Sequence, residues 1–336
     1  MTEGDPRTGE PLLSVEALST EYALEDRVVR AVTDVSFSIA RGEVVGLVGE
    51  SGSGKSATGL SILRLLPPEG RIVQGRVLLA GRDLAAIAEP EMRRVRGGRV
   101  AMIFQDPMTS LNPYLRVEEQ LAEVGVLHLG LTRREAIARA VALLDRVGIP
   151  DARSRARGFP HELSGGMRQR AMIAMALLGN PELLIADEPT TALDVTIQAQ
   201  ILELLRELVK ERGLSVILVT HDLGVVAEVA DRVLVMYAGR IVETGSAREV
   251  LAAPHHPYTL ALLRSVPRLD RRATRLESIQ GMPPRLDQGP FSECTFAPRC
   301  RLVQGECHAK EPSLSPAHVG STRLRRCIRS PDEVSG

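Results

Sequence analysis

The sequence predicts an α/β protein in which a parallel sheet, buried on both faces, is preceded by antiparallel strands, interrupted by an all-helical insertion and followed by a loop-rich tail. Three observations predict it. The apolar run Val44-Val45-Gly46-Leu47-Val48 leads directly into Gly49-Glu50-Ser51-Gly52-Ser53-Gly54-Lys55-Ser56 and then into a helical pattern that ends at Pro67-Pro68. Leu183-Leu184-Ile185-Ala186-Asp187 and Ser215-Val216-Ile217-Leu218-Val219-Thr220 are continuous apolar runs, as expected of parallel strands covered by helices on both sides. Between these two groups of strands, residues 106 to about 178 carry a helical pattern.

Composition sets the limits. A chain of 336 residues accommodates one large domain with an appendage, or two domains. With 44% apolar and 25% charged residues, a packed core is expected. Lys+Arg and Asp+Glu are equal at 42 each, so no overall field favours nucleic acid, and no local basic patch stands out. Aromatic residues make up 3% with no Trp, which argues against base-stacking surfaces, and no nucleic-acid partner is expected. Met1 to Glu10 carries Glu3, Asp5 and Glu10 and no apolar segment, predicting no secretory signal and a cytoplasmic chain. No stretch approaches the roughly 20 apolar residues of a membrane span. The best candidate, Ala171 to Ile185, is broken by Gly179-Asn180-Pro181 and contains Glu182, so membrane association is expected through a partner.

The elements follow in order. Residues 12 to 45 alternate apolar and polar positions, as in Val35-Ser36-Phe37-Ser38-Ile39, and predict antiparallel strands; residues 72 to 80 extend that character. Val100 to Phe104 is a buried strand ending at Gln105. In the helical insertion, Thr132-Arg133-Arg134-Glu135 is a capping box, Ile137, Val141, Leu144 and Val147 follow at helical spacing, and Gly148 closes the helix. Ile197, Ile201, Leu204, Leu205 and Leu208 mark a helix that stops at Gly213, and Val233 to Val242 reads as a hairpin about Ala238-Gly239. Beyond Leu263, Pro267, Pro283, Pro284, Pro290, Pro298, Pro312 and Pro316 punctuate a basic tail, with a boundary expected near 250 to 280.

The glycine-rich stretch carries the chemistry. Its pattern G-x-x-x-x-G-K-[ST] folds the backbone into a nest of N–H donors at a helix N-terminus, with Lys55 to reach phosphates and the Ser56 hydroxyl to hold Mg²⁺. Gly52 to Ala57 also fits the dinucleotide fingerprint G-x-G-x-x-A, but Lys-Ser at the helix start favours a nucleoside triphosphate. Asp187 and Glu188 stand at the carboxyl end of a parallel strand, where Asp187 can hold Mg²⁺ through water and Glu188 can polarise an attacking water. Without the phosphate loop, such a pair reads equally well as a solvated acidic turn. Leu163-Ser164-Gly165-Gly166-Met167 opens a helix and forms either a second anion site or an ordinary capped helix start.

These features, with Gln105 ending a strand, Thr191-Ala192-Leu193-Asp194, and His221 after a strand, occur in the order and spacing of the ATP-binding cassette (ABC) ATPases, which the chain resembles over roughly residues 12 to 250. The resemblance implies a P-loop NTPase core at 12–250 with an N-terminal antiparallel β-subdomain and a helical subdomain at about 106–178. It implies ATP and Mg²⁺ as cofactors, with Gly49, Ser51, Gly52, Ser53, Gly54, Lys55, Ser56 and Ala57 at the phosphates, and Ser56, Gln105 and Asp187 toward Mg²⁺. Glu188, His221 and Gln105 take the catalytic positions, Tyr22 the adenine, and Ser164, Gly165, Gly166 and Asp194 further nucleotide contacts. The common signature LSGGQ has Met167 in place of Gln here, with Gln169 nearby. In this family each ATP lies between the phosphate loop of one subunit and the signature of another, so a second ATPase subunit, identical or paralogous, is an implied partner.

All four cysteines, Cys294, Cys300, Cys307 and Cys327, lie in the last 43 residues, which in a cytosolic chain favours metal or cluster ligation over disulfides. Their spacings, C-x5-C, C-x6-C and C-x19-C, match neither paired zinc-ribbon motifs nor the compact ferredoxin run and leave the metal open. His255 and His256 form a candidate metal pair, but Pro254 and Pro257 flank them and a helix start is the plainer reading. Arg323, Arg325 and Arg326 beside Cys327 read as neighbours of an anionic cluster or as a solvated face.

His256-Pro257-Tyr258-Thr259 followed by Phe296-Ala297-Pro298-Arg299-Cys300 resembles the C-terminal extension of the oligopeptide/dipeptide importer ATPases, the D-type subunit in particular, here at 251–336. Some members of that group hold a [4Fe-4S] cluster with cysteines in this arrangement, zinc and no metal being the alternatives. The resemblance implies an ATP-hydrolysing subunit on the cytoplasmic face of the cell membrane, with two transmembrane permease subunits and an extracytoplasmic substrate-binding protein, and with Gln105 and residues 106–113 lining the coupling surface. Oligopeptides or dipeptides are the implied cargo, with nickel chelates, glutathione or glycans as alternatives. Soluble cassette ATPases of translation or DNA repair share the chemistry but carry tandem cassettes or long coiled coils, neither of which is present.

Overall fold

The computed structural model describes residues 10–106, 110–190, 193–265, 278–287, 291–318 and 320–335. Pro107, Met108 and Thr109 of the expected coupling segment, Thr191 and Ala192, and the tail prolines Pro267 and Pro290 lie outside the described residues. The chain runs β1 (Leu13–Ala23), β2 (Val28–Ile39), β3 (Val44–Val48), α1 (Lys55–Ile62), β4 (Gly70–Leu79) and β5 (Arg82–Asp83). It continues α2 (Glu89–Val95), β6 (Val100–Ile103), α3 (Val117–Leu129), α4 (Arg133–Arg146), α5 (Ala152–Ala156), α6 (Gly165–Leu178), β7 (Leu183–Asp187), α7 (Val195–Arg212) and β8 (Ser215–Thr220). The last part holds α8 (Leu223–Val229), β9 (Arg232–Tyr237), β10 (Arg240–Ser246), α9 (Ala247–Ala252), α10 (Pro257–Ser265), β11 (Ser315–Pro316), β12 (Leu324–Arg325) and α11 (Pro331–Ser335).

These elements form two compact units. One combines Ala40–Val44 with Ala86–Val219. Its parallel strands lie in the order β8-β7-β6, and every residue of β7 and β8 is buried, which explains the unbroken apolar runs. Helices α3 to α6 fill the insertion. The capping box at α4 is formed, the Thr132 hydroxyl accepting from the Glu135 amide while the Glu135 carboxylate accepts from the Thr132 amide. Helix α7 stops at Gly213, which adopts a left-handed conformation. Strand β6 ends at Ile103, one residue before the expected position, and leaves Phe104 exposed.

The other unit combines Glu10–Ile39 and Val45–Ala85 with the residues from Thr220 onward. It contains the antiparallel sheet β2-β1-β4-β5 and a second run of strands, β11-β12-β10-β9-β3, in which β3 pairs parallel to β9. Ala238 and Gly239 both have positive φ in the β9–β10 turn, the combination that matches the twist of a tight hairpin. Val48, Val226, Val233, Val235, Tyr237, Tyr258 and Phe296 pack into one core cluster in this unit, so the C-terminal extension shares its core with the strand that delivers the phosphate loop. No described helix is long and apolar enough to cross a membrane.

Candidate functional site

The phosphate loop is shaped by close backbone approach. β3 is buried throughout and ends at Val48; α1 begins at Lys55, with Gly54 as its N-cap at φ 104. A Cβ on Gly54 would lie 2.4 Å from the Ala31 carbonyl oxygen, and one on Gly49 2.2 Å from that of Met236, so both positions exclude any side chain. The Lys55 ammonium donates to the carbonyls of Gly49 and Glu50, each at 2.8 Å, and its side chain is buried across the mouth of the loop. The Ser53 amide donates to the Glu50 carbonyl at 3.2 Å, and its own carbonyl accepts from Gly239. Its hydroxyl is buried without a hydrogen-bond partner. A glycine cradle, a lysine folded over it and an unsatisfied hydroxyl together fit a phosphate ligand. Ser56 and Ala57 follow in the first turn of α1, half-buried.

In the same unit, His221 stands in the exposed turn between β8 and α8, where Asp222 caps the helix by accepting from Gly224 and Val225. Tyr22 lies near the end of β1, paired with Val29 and Gly70, half-buried, with its phenol pKa raised by burial.

The other unit gathers the carboxylates. Asp187 ends β7 and is buried; Glu188 follows at φ 49, a left-handed conformation rare for a residue with a side chain. The turn is fixed by the Glu188 amide donating to the Val219 carbonyl at 2.9 Å. Gln105 Nε2 lies 3.4 Å from Glu188 Oε2, so these two catalytic candidates are neighbours. Ser164 caps α6, its hydroxyl accepting from the Met167 amide at 3.3 Å, while Gly165 faces open space. Asp194 caps α7, accepting from the Ile197 amide at 3.0 Å.

The four cysteines line one small cavity of about 10 Å³ together with His256, Phe296 and Pro312. All are free thiols. The Cys294 amide donates to the Cys307 carbonyl, the Leu302 amide reaches the Cys300 sulfur at 3.3 Å, and the Gln304 amide reaches that of Cys307 at 3.5 Å. Burial pushes the Cys294 thiol up to about 12 and raises those of Cys300 and Cys327. The cavity is thus lined by four soft donors. Among the described residues no group of three His, Cys, Asp or Glu side chains converges on the position of a single metal ion.

The candidate His255–His256 pair is resolved as structural. His256 is buried, its Nδ1 accepts from the Tyr258 amide at the start of α10, and burial holds its pKa down at about 3. Both His amides donate to the buried carboxylate of Glu243. The arginine run is not a solvated face either: Arg323 is buried and pairs with Glu243, and Arg326 is buried and donates to the carbonyls of Ile241 and Pro312.

Comparison with known proteins follows the same lines. The family described as "ABC transporter" matches residues 32–191, and the "Oligopeptide/dipeptide transporter, C-terminal region" matches residues 242–307. A peptide import ATP-binding protein of Brucella abortus is 55% identical over 332 residues, covering 95% of this chain and 97% of its own. The oligopeptide transport ATP-binding protein OppD of Salmonella typhimurium is 50% identical over 98% of this chain and 97% of its own. The chain belongs to the ABC transporter family. Among solved structures, the dimeric post-hydrolysis state of the ATP-binding cassette MJ0796 bound to ADP and Pi superposes with a TM-score of 0.65 at 28% identity, covering 70% of this chain and 99% of that one.

Within this ABC ATPase, Gln169 answers the question raised by Met167. Its amide donates to the Pro189 carbonyl at 2.6 Å, and it is 1% exposed, so it braces the turn after β7 and is not a displaced signature glutamine. In the sequence Tyr258 and Arg299 stand only as family markers; the structure brings both to Glu50 of the phosphate loop. Their separation of 208 and 249 residues left no local pattern to find them by.

Proposed function

We propose that this ABC ATPase powers the import of oligopeptides or dipeptides, working from the cytoplasmic face of the cell membrane as one of two ATPase subunits on a pair of permease subunits, with an extracytoplasmic binding protein delivering cargo. The observation that carries this reading is the C-terminal region matched to oligopeptide/dipeptide transporters, joined to a full-length likeness to proteins named for peptide transport.

The reaction assigned to the site is transfer of the γ-phosphoryl group of ATP to water. The nest of Gly52 to Gly54, with Lys55 transferred from its carbonyls to the phosphates, binds and orients the triphosphate. Ser56, Asp187 and Gln105 are the residues assigned to Mg²⁺, and they would hold it where it would supply charge neutralisation at the phosphates. Glu188 takes the proton of the attacking water, and Gln105, within reach of its carboxylate, orients that water. His221 is assigned to the γ-phosphate, Tyr22 to the adenine, and Ser164, Gly165, Gly166 and Asp194 to the nucleotide of the partner subunit. Closure of two cassettes over ATP and their separation after hydrolysis supply the stroke. Domain limits of 12–250 for the cassette and 251–336 for the extension belong to the same reading.

Within the extension, Cys294, Cys300, Cys307 and Cys327 are assigned to a [4Fe-4S] cluster; their common cavity and free thiols support this. A cluster of this kind supplies one-electron chemistry or structural cross-linking when bound.

The decisive test uses the assembled transporter. Glu188→Gln is expected to retain MgATP while turnover and uptake of labelled oligopeptide both fall by about 100-fold or more. Normal hydrolysis overturns the assignment of Glu188, and uptake of another cargo in place of peptide overturns the substrate. Anaerobically purified chain is expected to carry about four irons with broad visible absorption; zinc, or no metal, overturns the cluster.

A further inference from the structure

The phosphate-loop pattern leaves its second position free, and this chain places an acid there, Glu50. What surrounds that acid comes from the C-terminal extension. Arg299 Nη1 lies 2.7 Å from Glu50 Oε2, and Nη2 lies 3.0 Å from Oε1, a two-point fork. The Arg299 side chain is 3% exposed, against 27% for Glu50. The guanidinium is itself held, with Nε donating to the Gln280 carbonyl at 3.0 Å and Cζ lying 5.8 Å from the centroid of the Tyr237 ring. The hydrogen-bonded Glu50 carboxylate raises the Arg299 pKa further above its ordinary range, so the fork stays charged.

The backbone of Glu50 is engaged as well. Its amide donates to the Tyr258 hydroxyl at 2.8 Å, and that ring sits 4.5 Å from Tyr237 and 5.4 Å from Phe296, an aromatic nest that the extension forms with β9. Its carbonyl accepts from the Ser53 amide and from Lys55 Nζ. Glu50 is thus gripped on two sides by the extension and bonded on the third to the lysine that must move to the phosphates.

We propose that Arg299 is a positioning residue for the phosphate loop: through Glu50 it holds the loop backbone in the shape that receives MgATP, and so makes nucleotide affinity depend on the cysteine-bearing extension. This rests on the reading of residues 49–56 as the phosphate site. The physical reason is pre-organisation. When Lys55 leaves the Gly49 and Glu50 carbonyls for the phosphates, the loop loses two of its internal bonds, and a charged fork to the neighbouring side chain keeps it ordered at no further entropic cost. Arginine suits this task because its planar fork matches a carboxylate at two points. Arg299 closes the single turn Ala297–Arg299, and the next residue is Cys300 of the thiol cavity, so the anchor stands one peptide bond from that cavity.

The test measures MgATP affinity of the full-length chain, by displacement of a fluorescent ATP analogue, and KM against kcat in the assembled transporter. Arg299→Ala is expected to raise Kd and KM about tenfold with kcat changed by less than about twofold. Arg299→Lys, which keeps the charge without the fork, is expected to fall between. Because Arg299→Ala also disturbs the extension, Glu50→Gln approaches the pair from the loop, keeping the shape of the side chain: it should weaken MgATP to a similar degree in a chain that remains folded by circular dichroism at the assay temperature, and the double variant should be no weaker than Arg299→Ala alone. Affinity within about twofold of the parent for either single variant, or additive losses in the double, overturns the proposal. Lys55→Ala separates the two readings. If it loses MgATP while Arg299→Ala keeps it, only the coupling falls; if Lys55→Ala itself keeps MgATP, the phosphate-site reading and the coupling fall together.

Discussion

In the phosphate loop the backbone carries the structure: Gly49 and Gly54 admit no side chain, and the lysine that crosses the loop bonds to the main-chain carbonyls of Gly49 and Glu50. Where the C-terminal extension packs on β10 the reverse holds. Glu243 is fully buried and takes hydrogen bonds from Arg323 and from the amides of His255 and His256, while Arg326 spends its guanidinium on carbonyls of separate segments. A surface made of main-chain donors tolerates many neighbours but no added methyl group. A scaffold made of buried ions tolerates many surfaces but no missing charge. The two regions should therefore fail in opposite ways, and substitutions can be chosen to show it.

The largest effect is expected where a charge is removed. Arg323→Met leaves the Glu243 carboxylate buried without its cation and should cost about 3–5 kcal/mol in denaturant unfolding, since breaking a buried pair from one side strands the other ion. If Arg323→Met is neutral, the extension is not held by its ions and the contrast fails. Gly54→Ala makes the opposite intrusion, placing a methyl 2.4 Å from the Ala31 carbonyl at a positive φ. It should cost about 1–3 kcal/mol and abolish MgATP binding, whereas the extension's thiol accessibility stays as in the parent. An alanine variant that binds nucleotide normally would show that the cradle is less crowded than its geometry indicates.

Protonation sharpens the comparison. Burial holds the folded His256 pKa at about 3, against 6.5 for a free imidazole. The unfolded chain takes up the proton first, so the stabilisation is complete above pH 6.5 and is lost as pH falls from there toward 3. At pH 5 the loss from this one group should reach about 2 kcal/mol, read as a drop in urea midpoint that His256→Asn largely removes. The smallest effect belongs to an exposed helix cap. Thr132→Ala should cost about 1 kcal/mol, measured by thermal melting, and should leave MgATP affinity untouched.

The same contrast governs what the sequence discloses. Phosphate-loop chemistry is local and stereochemically narrow, so eight consecutive residues state it; the capping box at Thr132, the stop at Gly213 and the Ala238-Gly239 turn are legible for the same reason. Glu188 was readable from its place after an apolar strand, but its left-handed backbone was not, since nothing about a glutamate signals positive φ. Arg323 and Arg326 read in the sequence either as neighbours of an anionic cluster or as a solvated face, because their partners, Glu243, Ile241 and Pro312, come together only through tertiary packing. Gln169 stands out in the sequence for its closeness to Met167, while its contact with Pro189 depends on tertiary packing of α6, which lies against β6.

The aromatic nest has one further consequence. The chain has no Trp and four Tyr, and two of these, Tyr237 and Tyr258, sit ring to ring beneath Glu50. Excited with ultraviolet light in the tyrosine absorption band, the protein therefore emits from tyrosine, and half of these emitters border the phosphate loop. It carries its own optical reporter, and ATP titrations can be followed without attaching a dye.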